Sequence, residues 1–489
     1  MAALSASPNT VSRRHVRFYS HGAMTWFERL SGLDAMFLYI EDRTAHMHVG
    51  AVAVFEGRAP AYRDLLALIA SKLERVPRYR QRLSFVPFDL GRPVWIDDPH
   101  LDLEHHVRHT ALPPPGGEEP LKRLAGRLFG QPLDRDKPLW ELWLVEGLGD
   151  DRFAVLLKTH HCMLDGVSGA DLATVLFDVD PSAVAPPEPP PWTPRPAPDR
   201  TALVASSVAD QLLHPLEVLR GAFEPSSAAR RLLLELGAGL KPLVGLSQLG
   251  RAPTSSLNQP TGRHRRWEMV SLDLAAVKAV RTALGGTVND VLLAVVAGAL
   301  RRLLEARGEQ PGADLRAMVP VSVRGADAPG ALGNRVTAVF CPLPVGEPDP
   351  ARRLHKVASE MKRLKESGQA VGTLAWTRLG DFAPPTLLAQ VARYQAMHRY
   401  MNLVVTNIPG PRDPLYLLGR RMLAWYPLVP LAQGQTVGIA VQSYHGKIGV
   451  GLLGDADHAR DLPELARAIP EALAELTALA ERAHGGAVS

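Results

Sequence analysis

Cysteine is nearly absent: Cys162 and Cys341 are the only two in 489 residues. That excludes a disulfide framework and fits a reducing cytoplasm. Also missing is any uninterrupted apolar stretch of about 18 residues, the length a transmembrane helix needs. The longest clean run, "VLLAVVAGAL" at 291–300, lies between Asp290 and Arg301 and reads as a buried helix. Residues 1–23 hold Arg13, Arg14 and Arg17, no acidic residue and no apolar core, so they are not a secretory signal. A disordered extension is expected there. No basic block interleaved with aromatics stands out, which makes nucleic acid a poor candidate partner. The excess of positive charge is mild, +5 with a pI of about 9.2, and could help hold a polyanionic cofactor or an anionic membrane surface.

What is present is an ordinary globular composition, 46% hydrophobic and 21% charged, with mean hydropathy −0.03. The length predicts two domains. "HMHVGAVAVFEG" (46–57) has the β-branched content of a strand, and 61–83 repeats apolar residues at helical spacing. Over 139–161 two strand-like runs flank "GDD", a hairpin pattern. Residues 169–179 predict a short helix. The proline-dense stretch at 180–200 predicts an extended linker. Leucine-rich helices broken at Pro215 and Pro242 follow over 201–257, as a crossover segment. A second α/β pattern fills 258–480, so the two domains expected are 24–179 and 258–480.

The second strand of the hairpin delivers "KTHHCMLDGVSG" (158–169). Were the strand to run through, His160 and His161 would face opposite sides. A neutral imidazole is the usual proton acceptor near pH 7. Asp165 sits in the turn, where Gly166 permits backbone conformations closed to other residues. It could orient the histidine, or fix the turn by pairing with a distant arginine. Adjacent strand histidines diverge, which argues against a metal site. Cys162 reads as a small packed residue rather than a nucleophile. A second pair, His105–His106, has no Asp-Gly after it, so two adjacent histidines alone carry little information.

The full pattern His-His-x-x-x-Asp-Gly at a strand end resembles the active-site motif of CoA-dependent acyltransferases with the chloramphenicol acetyltransferase-like fold. Within them "LSGLDAMFLYIED", "MHVGAVAVFEG", "KPLWELWLVEGL", "TVNDVLLAVVAGALRR", "VPVSVR", "LGNRV" and "NLVVTNIPGP" look like the bacterial wax ester synthase/diacylglycerol acyltransferase family, in the family's order over nearly the whole chain. The resemblance implies two α/β domains, each a mixed sheet with flanking helices, and an active-site channel between them.

It implies further that His161 is the general base, deprotonating an alcohol as it attacks an acyl-CoA thioester, with direct transfer and no acyl-enzyme. His160 then orients or packs the turn. Asp165 faces away and pairs with an arginine, with Arg324 the first candidate and Arg335 the second. Asn289 and Asp290 match the family's Asn-Asp pair: both suit a helix's first turn as structural caps, and the resemblance adds a place at the cleft. Pro138, Leu139 and Trp140 match its Pro-Leu-Trp motif, as acyl-pocket lining or as core.

Acyl-CoA is the implied co-substrate, with no bound cofactor and no metal. The acceptor implied is diacylglycerol, a fatty alcohol, or both. The rival readings are a carrier-protein-dependent condensation-type acyltransferase and a catalytically silent lipid-inclusion protein. A cytoplasmic protein held peripherally on membrane or lipid inclusions is expected, with Arg220, Arg230, Arg231 and Lys241 on the surface that would touch lipid.

Overall fold

The structure, a computed structural model, describes residues 27–163, 175–182, 192–209, 250–322, 336–366, 389–390 and 399–485. The N-terminal extension, the start of the helix expected over 169–179, part of the linker and 210–249 lie outside them. So do Asp165, Gly166, Arg324, Arg335 and the four basic residues proposed for lipid contact.

The first half runs β1 (Glu28–Arg29), α1 (Gly32–Ile40), β2 (His48–Glu56), α2 (Tyr62–Lys72), β3 (Gln81–Ser84), β4 (Val94–Asp97), β5 (Val107–Ala111), α3 (Glu118–Phe129), β6 (Trp140–Gly149) and β7 (Arg152–His160). The second half runs β8 (Arg265–Asp273), α4 (Leu274–Leu284), α5 (Val288–Ala306), β9 (Leu315–Ser322), β10 (Val336–Leu343) and α6 (Pro350–Glu366). It continues with β11 (Leu403–Ile408), β12 (Tyr416–Leu417), β13 (Arg420–Leu428), β14 (Val437–Tyr444), β15 (Lys447–Asp455) and α7 (Leu462–Gly485).

Two mixed six-stranded sheets result, ordered β12-β13-β2-β7-β6-β5 and β10-β9-β11-β14-β15-β8, beside a small sheet β1-β4-β3. The hairpin β6–β7 forms as its sequence predicts. Its turn residues Asp150 and Asp151 both take left-handed φ, 50° and 49°, as tight hairpin turns require. The helix expected over 61–83 stops at Lys72. Short 3₁₀ turns follow, and 81–84 is strand, hydrogen-bonded to β4. Pro77, which has no N–H to donate, starts the second of these turns.

The sheets do not respect the division of the sequence at 180–200. β13 leaves the second half and pairs antiparallel with β2, completing the first sheet. To get there it crosses β15 at backbone distance. A Cβ on Gly449 or Gly451 would lie 1.8 Å from the carbonyl oxygen of Trp425 or Pro427, so only glycine fits. Around this crossing a shared core of Val52, Val54, Leu121, Leu128, Trp267 and Leu453 joins α3 and both sheets. Each such fully buried aliphatic side chain contributes about 1.5–3 kcal/mol.

Helix α5 carries the long apolar run. Every residue from Val291 to Leu300 is buried, because α4, α6 and α7 pack around it. Among the described residues no single helix is long and apolar enough to cross a membrane. The α4–α5 pair reaches the length only across a 100° bend.

Candidate active site

β7 ends at His160, and His161–Met163 turn into a 3₁₀ segment. The strand therefore does not run through the histidine pair, and the turn sets each ring separately. His160 is buried. Its Nδ1 accepts the Cys162 backbone N–H at 3.2 Å, which leaves the ring proton on Nε2, donated to Glu41 Oε2 at 2.9 Å. The two bonds fix one neutral tautomer. The backbone N–H of His160 also donates to the Leu139 carbonyl at 2.9 Å.

His161 is only partly buried. Its backbone N–H donates to the Met47 carbonyl at 2.8 Å. Its ring stacks on Phe37 of α1, centroids 3.8 Å apart and planes 21° from parallel. Burial first, and His160 second, push its pKa down to about 4. The solvent contact that remains limits this depression, and on either account the imidazole is neutral at pH 7. A neutral, oriented, solvent-touching imidazole can accept a proton.

Glu41, at the C-cap of α1, is the residue the sequence did not single out. Its carboxylate is buried and receives His160, with Arg135 Nη2 at 2.8 Å on the same oxygen. His46 Nδ1 and His48 Nε2 lie 3.4 and 3.6 Å from the other oxygen. Burial alone would raise the Glu41 pKa, but the hydrogen bond from His160 and the adjacent His46 and His48 rings override it, holding the carboxyl well below the usual range. Burial and Lys158 push His48 well below its ordinary value. Among the described residues no group of such side chains is arranged to hold a metal ion.

Cys162 is buried, and burial pushes its thiol well above the ordinary value. A thiol kept protonated in an apolar site is a poor nucleophile. Lys158, also buried, donates to the carbonyls of Leu128 (2.9 Å) and Gln131 (2.5 Å). It satisfies the C-terminal end of α3 and ties that helix to the strand carrying the motif.

Pro138, Leu139 and Trp140 are buried, and the last two belong to the first-half core. Trp140 donates from Nε1 to the Tyr79 carbonyl at 2.9 Å and stacks on His106 at 4.6 Å. The cavity beside it holds only about 10 Å3, scarcely one water. In the structure this motif is core, and its link to the histidines runs through the Leu139 backbone.

Asn289 and Asp290 open α5. Thr287 and Asp290 form a reciprocal capping box: Asp290 N–H to Thr287 Oγ1 at 3.2 Å, and Thr287 N–H to Asp290 Oδ2 at 2.8 Å. Asn289 Oδ1 accepts from Asn407 Nδ2 at 3.2 Å, bridging α5 to β11. A cavity of about 680 Å3 adjoins this helix start, with His355, Lys362 and Lys365 of α6 in its lining.

The two-sheet architecture, with a neutral imidazole at the end of a central strand, defines the class: a two-domain acyltransferase fold. The family follows from comparison. Residues 30–292 match the wax ester synthase/diacylglycerol acyltransferase catalytic domain, and 332–477 match its C-terminal domain. The chain belongs to that family. It is 37% identical over 464 residues to the probable diacylglycerol O-acyltransferase tgs1 of Mycobacterium tuberculosis (strain H37Rv), covering 93% of this chain and 96% of that one. With the probable diacylglycerol O-acyltransferase tgs2 of the same strain it shares 36% identity over 450 residues, covering 89% and 94%. The wax ester synthase/diacylglycerol acyltransferase from Marinobacter aquaeolei VT8 superposes with a TM-score of 0.65 at 29% identity, over 93% of this chain and 100% of that one. A starter condensation domain of rhizomide synthetase, solved with C8-CoA, shares the fold at a TM-score of 0.55 and 16% identity, over 94% and 95%.

Proposed function

We propose that this protein moves a long-chain acyl group from acyl-CoA to the hydroxyl of diacylglycerol, a fatty alcohol, or both, with His161 as general base. The observation that carries the reading is the His161 ring, neutral, stacked on Phe37 and still open to solvent. The alcohol oxygen attacks the thioester carbonyl carbon while its proton passes to His161. The tetrahedral intermediate collapses, the C–S bond breaks, and the same proton is available to the departing sulfur. Ester and free CoA leave, and no group stays on the enzyme. The protonated, buried Cys162 thiol supports direct transfer.

Asn289, held by Asn407, steadies the reacting groups. On the family resemblance Asp165 pairs with an arginine, Arg324 first and Arg335 second, in a role outside the described residues. The cavity at the start of α5, with Lys362, Lys365 and His355 beside it, suits the anionic end of CoA. Contact with lipid is peripheral. Phe88 supports it: it is 90% exposed on a left-handed backbone (φ 61°), in a segment, 75–92, with five arginines and one acid. An exposed aromatic among cations suits an anionic lipid interface.

Thiol release from palmitoyl-CoA, with diolein or hexadecanol as acceptor, tests the reaction. No release with either acceptor, or release only from an acyl-carrier protein, overturns the reading. Flotation with anionic vesicles tests the contact. Phe88→Glu should weaken flotation while activity on a soluble alcohol persists, and unchanged flotation removes Phe88 from the interface.

A further inference from the structure

We propose that Glu41 is the positioning residue for His161, fixing the two backbone amides that flank the base. This rests on the acyltransferase reading above. The first amide is that of Cys162, which donates to His160 Nδ1. His160 can accept there only while its proton is on Nε2, and Glu41 Oε2 is the acceptor that keeps it there. The second is that of His161, which donates to the Met47 carbonyl. Met47 lies between His46 and His48, and both of those rings face Glu41 Oε1.

A third connection runs along α1. Glu41 caps that helix, and Phe37, one turn earlier, is the ring on which His161 stacks. One carboxylate therefore sets the tautomer of His160 and lies beside both the 46–48 segment and the end of the helix that carries Phe37. Arg135, itself part-exposed, balances the charge from the solvent side. Glu41 thus acts on His161 through its neighbours, alongside the backbone bond from His160 to Leu139 that also anchors the turn.

The test uses the full-length enzyme with palmitoyl-CoA and a saturating acceptor. Glu41→Gln keeps the shape and removes the charge. Expected is a fall in kcat of about 10–100-fold, as for other partners that orient an active-site imidazole, with KM for palmitoyl-CoA within about threefold of wild type. A double-mutant cycle gives the decisive readout. In a His160→Ala background, Glu41→Gln should cost no more than about threefold in kcat, because the principal arm is already gone. Two losses that simply multiply would overturn the proposal, as would a Glu41→Gln enzyme with wild-type kcat. If Glu41→Gln does not fold, Glu41→Asp carries the test: it keeps the charge but withdraws it by one methylene, and should lower kcat with KM little changed. Failure of both variants to fold makes Glu41 a structural residue and ends the proposal. A wild-type enzyme that releases no thiol would instead end the acyltransferase reading.

Discussion

A histidine works as a base only while unprotonated, and His161 is held in that state chiefly by burial. Two outcomes follow at this scale. His161→Ala should lower kcat by about 10²–10⁴-fold, the usual worth of a positioned base, with an unchanged urea midpoint. Retention of more than about a tenth of the rate removes the assignment. The pH profile is the second. With the ring's pKa at about 4 against its ordinary 6.5, kcat/KM should stay flat from neutral pH well into the acid range. It should then fall tenfold per unit only as pH approaches and passes the folded value. The same shift fixes a stability trend. Between 6.5 and 4 the unfolded chain binds the proton that the folded one refuses, so stability contributed by this group is present above 6.5 and lost as pH falls. An acid limb in kcat/KM centred near 6.5 would show a solvated ring. Cys162→Ala should leave turnover intact, and rapid quenching with labelled acyl-CoA should trap no acyl-protein; a stoichiometric thioester there would replace direct transfer with a covalent route.

Elements are where the roles of the Asn-Asp pair separate. Asp290 is committed to the start of α5 through the capping box with Thr287, so Thr287→Ala and Asp290→Ala should each cost about 1 kcal/mol in urea denaturation. If Asp290 also binds substrate, its variant alone will raise KM, and a large KM effect without a stability cost would move it from the cap to the site. Lys362→Glu with Lys365→Glu should raise KM for acyl-CoA by about tenfold, ~1.4 kcal/mol, and leave kcat nearly unchanged; an unaltered KM places CoA elsewhere. How much of this was legible depends on distance along the chain. The β6–β7 hairpin and the α5 cap could be read because turn and cap residues lie within three positions of their partners. The run over 61–83 could not, since its apolar spacing stays helical past Lys72 and only pairing with β4 makes 81–84 a strand. Glu41 was invisible for the same reason, its partners His160 and Arg135 being 119 and 94 residues away. The Pro-Leu-Trp motif was legible as a motif but not in its packing, which puts Trp140 in the core rather than against a sizeable pocket.

At the scale of the whole molecule, the crossing of β13 couples halves that the proline-rich linker would otherwise leave separate. Remove β13 and β2 becomes an open edge with unpaired N–H and C=O groups, while the first-half core loses Met422 and Trp425. The loop after Glu41 is gripped from the second half as well: Gln433 Nε2 donates to Asp42 Oδ2 at 2.8 Å, and Arg265 reaches the Thr44 carbonyl. Two independently folding domains would melt in two steps. This arrangement requires one, with far-UV circular dichroism and tryptophan fluorescence tracing the same transition in urea. A chain ending before residue 399 should not fold its first half, even though it retains seven strands of the two sheets that half contributes to and the complete histidine motif. Gly451→Val gives the sharper test. The added side chain must displace the Pro427 carbonyl, which sits where its Cβ would go, and overpacking of this kind costs about 1–3 kcal/mol. Because β13 belongs to the first sheet, the loss should lower the midpoint of the whole transition. A variant in which only part of the signal shifts, leaving a second transition at the wild-type midpoint, would show that the halves fold apart and that the crossing strand is a passive contact.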